Sequence, residues 1–88
     1  MKTIATRQSW NLLGTKDSFK HKVVGNLGTV TNDPNSDYGV SICMNDAFIG
    51  NVNPGESRTF STNPGDMVRV VSGPGATKAE FASGQILG

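Results

Sequence analysis

Large apolar residues recur at every second position in Tyr38-Gly39-Val40-Ser41-Ile42-Cys43-Met44, placing Tyr38, Val40, Ile42 and Met44 on one face and Cys43 on the other. A period of two is that of a half-buried strand, so this run predicts a β-strand laid on a core. Asn45-Asp46, two residues that tolerate a left-handed backbone, predict a two-residue hairpin loop, with Ala47–Val52 as the returning strand. Further strands are predicted over Phe19–Val24 and Leu27–Thr31, split by Gly25-Asn26, over Glu56–Thr62 around Phe60, over Met67–Val71, and over Thr77–Ala82 around Phe81. No stretch carries a capped apolar period of 3.6 residues, so no helix is expected.

Four prolines punctuate these runs, in Asp33-Pro34-Asn35, Asn53-Pro54-Gly55, Asn63-Pro64-Gly65 and Gly73-Pro74-Gly75. Proline presets φ for the second position of a turn, and the Gly (or Asn35) after it can supply the positive φ of a type II turn, so each string reads as a chain reversal. Turns at this spacing between short strands predict an all-β fold, a small antiparallel β-sandwich of 7–8 short strands. The segments between the prolines are not alike, which argues against a repeat array. Residues 1–17 differ in texture, mixing polar residues with Ile4, Trp10, Leu12 and Leu13, and read as an N-terminal arm, a connector or an edge strand; residues 18–88 form the sandwich domain.

Length changes the picture. A chain of 88 residues makes one domain that leaves much of its surface wet, so disulfides, metals or oligomerisation commonly supplement its stability. A single cysteine, Cys43, cannot close an intramolecular disulfide, and no Cys/His cluster has zinc-ligand spacing. Oligomerisation is the supplement left, with a stable monomer as the other reading. The net charge of +1 argues against a nucleic-acid partner, but it is unevenly spread. Residues 1–24 carry five Lys/Arg against one Asp, a net of +4, and residues 25–88 three against six, a net of −3. A basic leading segment and an acidic body favour salt-sensitive, head-to-tail association between copies, unless the segment is simply solvated. No apolar run is long enough for membrane insertion, and no secretory leader is evident. Synthesis in the cytoplasm without a signal peptide is expected, with an extracellular, spore-surface or virion-surface destination left open.

Catalytic chemistry finds little to work with. A Ser or Cys nucleophile needs a nearby base, and the one histidine, His21, sits between Lys20 and Lys22, where a surface role is expected. Cys43 reads as a buried inert thiol, with an intermolecular disulfide as the minority reading. Nothing pairs two of the seven acids, and no glycine motif that cradles phosphate is present. Asp33, Asn35 and Asp37 stand at alternate positions as in calcium loops, but Gly39 falls one place late and Met44 stands where a bidentate Glu is needed. An Asx-rich turn is expected there, and neither a metal nor a cofactor. Trp10 and Tyr38 together suit a sugar-stacking platform, yet the alternation places Tyr38 in the core, and Trp10 suits an anchor against a neighbouring subunit.

The run Ser-Ile-Cys-Met-Asn-Asp-Ala-Phe-Ile-Gly-Asn-Val-Asn-Pro-Gly-Glu-Ser-Arg-Thr-Phe, Ser41–Phe60, resembles the strand, hairpin, strand, Pro-Gly turn, strand passage of small jelly-roll subunits. It is similar to the subunits of endospore appendages, the pilus-like fibres of spore-forming bacilli, and the likeness of pattern extends over residues 18–82. The resemblance implies a jelly roll that polymerises through strand edges, with an N-terminal connector reaching into a neighbour. Residues 1–17 would be that connector, and Ile4, Trp10, Leu12 and Leu13 its anchors at the subunit interface. Such connectors carry crosslinking cysteines, and none occurs here before Cys43. The expected function is therefore a non-enzymatic structural subunit whose partner is itself. The alternative is a binding module, either a phage capsid or tail decoration protein or a carbohydrate-binding domain.

Overall fold

A computed structural model describes residues 2–7, 11–13, 17–73 and 76–87, with side chains for 17–73 and 76–84. Its elements are β1 (Lys2–Arg7), β2 (Asn11–Leu13), β3 (Ser18–Lys22), β4 (Leu27–Asn32), β5 (Val40–Met44), β6 (Ala47–Val52), β7 (Ser57–Ser61), β8 (Met67–Ser72) and β9 (Thr77–Leu87). The described residues are all-β, without a helix. β3 to β9 fall on the seven runs expected from alternation and turns. β9 continues to Leu87, past the expected end at Ala82, because β1 pairs along its last six residues, from Arg7↔Ala82 to Lys2↔Leu87.

All pairings are antiparallel, and they are nested. The innermost pair, β5 with β6, is followed outward by β4 with β7, β3 with β8, and finally β1 and β2 with β9. The chain is thus a ribbon folded in half at Asn45-Asp46. Two further pairings, β4 with β9 and β5 with β8, divide the ribbon into a sheet ordered β1-β9-β4-β7, with β2 also on β9, and a sheet ordered β3-β8-β5-β6. Neither sheet closes on itself.

Alternation determines what each strand buries. Val30, Ala79 and Phe81 from the first sheet meet Val40, Ile42, Val52, Val68 and Val70 from the second, and Val23 closes the same core. Each such Val, Ile or Phe contributes roughly 1.5–3 kcal/mol relative to exposure. Phe19, Met44, Ile49 and Phe60 pack at the flanks. Gly28 leaves room for aromatic rings: a Cβ there would lie 2.9 Å from Phe60 Cε2 and 3.0 Å from Phe81 Cε1.

The turns follow the chemistry of their residues. Asn45 and Asp46 both have positive φ (50° and 68°), as the hairpin loop requires. Asn53-Pro54-Gly55-Glu56 and Asn63-Pro64-Gly65-Asp66 are twins. Each closes with an amide of the acidic residue donating to the Asn carbonyl, at 3.0 and 3.1 Å, around a Gly of positive φ. In each, the carboxylate reaches back to accept from the Asn amide, Glu56 from Asn53 at 3.2 Å and Asp66 from Asn63 at 2.9 Å. Each also docks by the same two bonds: Asn32 N donates to Glu56 O and Gly55 N to Asn32 O, as Val23 N does to Asp66 O and Gly65 N to Val23 O.

The Pro34 turn departs from the expectation of positive φ at Asn35. Among described residues other than glycine only Asn45 and Asp46 have it. The Asp33 carboxylate instead accepts from Asn35 N at 2.8 Å while Ser36 N donates to Asp33 O, an Asx turn that needs no left-handed residue. The turn at Pro74 lies outside the described residues.

Candidate functional site

The β4–β5 loop is laid against the start of β9. Asp33 N donates to Lys78 O at 2.8 Å, Asp37 N donates to Ala76 O at 3.0 Å, and Lys78 N donates to Ser36 Oγ at 2.9 Å. The loop is anchored from behind by Asn32, a buried side chain whose Nδ2 donates to the carbonyls of Tyr38 and Val52, both at 3.0 Å. Asn32 occupies an inward position of β4, in phase with Gly28 and Val30; its Nδ2 is paired there, while its Oδ1 has no hydrogen-bond partner.

Between the loop and β9 lies an open cleft of about 280 Å³ whose polar lining includes Asp33, Asn35, Asp37, Thr77 and Lys78. Asp37 and Asn35 are exposed; Thr77 is 1% exposed, and its Oγ1 has no hydrogen-bond partner. Asp33, Asn35 and Asp37 therefore do come together, but one oxygen of Asp33 already serves the Asx turn. Among the described residues no group of three or more His, Cys, Asp or Glu is arranged to hold a metal ion. Thr77 and Lys78 were not apparent as partners of this loop from sequence. Their only local signal is that Thr77 shares the inward phase of Ala79 and Phe81.

Tyr38 is not a core residue. It stands in the loop before β5, half exposed, because β5 begins at Val40 and the Tyr38 carbonyl is taken up by Asn32. His21 is half-buried, not fully exposed. β3 presents Phe19 and His21 on one face, opposite Val70 and Val68, and the imidazole lies 5.1 Å from the Phe81 ring, with Nε2 buried and unpartnered. Cys43 is a free thiol on the outer face of its sheet, half-buried, since Val40 and Ile42 fill the inner side of β5. It stands opposite Arg69 on one side and Phe48 on the other, and Arg69 stands opposite Lys20.

The backbones of Ile4, Leu12 and Leu13 lie in β1 and β2, opposite Gln85, Lys78 and Thr77 of β9; Trp10 lies outside the described residues. β1 and β2 thus form an edge of the first sheet. The pairing of β4 with β9 stops at Leu27↔Gly84, so residues 85–87 of β9 are paired only with β1.

The remaining edges differ in how they are guarded. β3 carries Lys20 and Lys22. β6 carries a bulge at Ile49, two residues against one as the register passes from Ile42↔Gly50 to Cys43↔Phe48, which turns Phe48 outward at 63% exposure. β7 has neither bulge, proline nor lysine. Its Arg58 bends inward over Gly50 of the other sheet, and Thr59 and Ser57 join Thr29 and Thr31 through hydroxyl bonds of 3.0 Å. No helix among the described residues is long and apolar enough to cross a membrane. No protein-family model matches the chain, and no curated protein matches it.

Proposed function

We propose that this chain is a non-enzymatic structural subunit, a jelly-roll sandwich that self-assembles into a filament or shell through its sheet edges and its N-terminal segment. The nested pairing supports the jelly-roll reading. With β1 and β2 taken as one interrupted strand, the pairs are first with eighth, second with seventh, third with sixth and fourth with fifth, as in a ribbon rolled into two four-stranded sheets.

The observation that carries the assembly reading is the β7 edge. Sheet edges are ordinarily blunted by lysine, proline or bulges, because an unpaired strand templates another. β3 has two lysines and β6 a bulge, whereas β7 carries only the charge of Arg58, whose side chain lies over Gly50 of the other sheet. β7 and β1 are opposite edges of one sheet, so β7 of one copy beside β1 of the next extends that sheet from copy to copy. A contact between two different surfaces is heterologous and builds rings or open filaments.

Electron microscopy of the purified chain, of a deletion of residues 1–17 and of a Thr59→Lys/Ser61→Lys variant tests this reading. Regular polymers in the parent that are lost in both variants are expected. A parent that stays monomeric at every concentration refutes assembly, and polymers that persist in the deletion refute the role of the N-terminal segment. A binding module is the second reading, favoured by the cleft between the β4–β5 loop and the start of β9.

A further inference from the structure

We propose that the outer face of the second sheet docks the acidic end of another copy, a contact separate from edge pairing that rests on the reading that copies assemble. The face is cationic. Lys20 and Lys22 of β3 are exposed on it, and Arg69 of β8 stands directly opposite Lys20. None of its four strands contains Asp or Glu, and among the described residues no carboxylate pairs with these three cations. Like charges directly opposite destabilise a sheet, so an anion brought from outside relieves a cost that the fold retains. Edge protection accounts for lysines on β3 but not for Arg69, because β8 lies inside the sheet, between β3 and β5. Apolar surface adjoins the charges. Met67, opposite Lys22, is 39% exposed, and Phe48, one strand beyond Cys43 in the row of Lys20 and Arg69, is 63% exposed.

The complementary surface is on the same chain. Asp37 and Glu56 are both exposed at one end of the sandwich, in the β4–β5 loop and the β6–β7 turn. Those two segments are joined at Asn32, whose N donates to Glu56 O and whose O accepts from Gly55 N. Tyr38 follows Asp37 and is 50% exposed. The carboxylates suit Lys20, Lys22 and the Arg69 fork, and the Tyr38 ring suits the guanidinium as well as Phe48 and Met67. Tyrosine and arginine are also the side chains that most often anchor interfaces. Every copy carries both surfaces and the two differ, so the contact is heterologous and passes from copy to copy.

Sedimentation velocity on the Thr59→Lys/Ser61→Lys chain, whose β7 edge is blocked, tests this contact apart from edge pairing. At about 50 mM salt the mass should rise with concentration, with a Kd between micromolar and millimolar. At about 1 M salt, where the screening length is about 3 Å, it should fall to that of a monomer. Added to that chain, Lys20→Glu/Lys22→Glu and Asp37→Lys/Glu56→Lys, all at exposed positions, should each weaken association by at least about tenfold. An equimolar mixture of the two should recover it, since the reversed face of one matches the reversed end of the other. Asp37→Asn should weaken it too, whereas Asp46→Asn, which removes the same charge from the opposite end, should not. Thermal unfolding checks that each variant folds, and should a reversal not fold, the two asparagine variants decide.

The proposal is overturned if the β7-blocked chain stays monomeric at low salt, if the two asparagine variants behave alike, or if the mixture does not recover association. A monomeric chain retained by phosphatidylglycerol vesicles also overturns it and assigns the face to a lipid surface. Edge pairing is read from polymers of the parent, so a failure here leaves it standing.

Discussion

The side-chain amide of Asn32 donates to the backbone carbonyl of Val52 at 3.0 Å, joining β4 of one sheet to β6 of the other through the protein interior. A second bond from the same nitrogen holds Tyr38 O. Asn32→Ala removes both and leaves the two carbonyls short of a donor, at an expected cost of about 2–3 kcal/mol. Urea denaturation measures it, and a loss below about 0.5 kcal/mol would show that the link carries no weight. Asn32→Asp should cost more at neutral pH, since a carboxylate at that position faces two acceptors.

Gly28 and Gly50 predict opposite tolerance. An added Cβ at Gly28 meets two aromatic rings at 2.9 and 3.0 Å within the core, and Gly28→Ala should lose about 1–3 kcal/mol. At Gly50 the Cβ falls 2.7 Å from Arg58 Cζ, the far end of a flexible side chain that can swing into water. Gly50→Ala should therefore cost under about 1 kcal/mol, in line with substitutions that leave core packing intact. Equal losses in thermal unfolding would contradict this reading.

The twin turns supply a paired test. Gly55 and Gly65 have φ of 83° and 93°, where a Cβ is strained, so alanine at either site should destabilise by about 1–2 kcal/mol. Because the two turns share one bonding pattern, the two losses should be of similar size; a neutral substitution at either would mean that its turn does not need the left-handed residue.

Acid should loosen one twin in a defined direction. The amide of Asn63 and the side chain of Asn45 both donate to the Asp66 carboxylate and lower its pKa below the ordinary 3.8. The folded state thus favours the ionised form. The resulting stabilisation is complete above the unfolded value and is lost as pH falls through the lower, folded value. Stability curves of the parent and Asp66→Asn should differ near neutrality and converge in acid. Curves that stay parallel would rule out the linkage.

Much of the fold was legible because its signals are local. Val40, Ile42 and their neighbours alternate cleanly, and Asn-Pro-Gly-acid encodes a complete turn in four residues. Tyr38 misled because the alternation continues in sequence across Gly39, whereas the chain there is already tied down by Asn32. His21 misled for a related reason: Lys20 and Lys22 point outward, and a strand sends the residue between them to the opposite face. The cleft left almost no local trace. Ser36 and Lys78, which bond across it, are 42 positions apart, and only the folded ribbon brings them together. That β7 has neither lysine nor proline was readable in composition, but that it is an edge follows from strand order alone.

The nested pairing has a kinetic consequence. Loop closure grows costlier with the length of chain enclosed, and the pairs span from Met44 and Ala47 at the fold of the ribbon to Lys2 and Leu87 at its open end. The ribbon is therefore expected to zip outward from Asn45-Asp46, with β1 the last strand to dock and the first to fray. A strand that arrives late on β9 leaves an interval in which a neighbouring copy can compete for the same edge. Concentration during folding would then decide how many chains complete their own sheet and how many are completed by another.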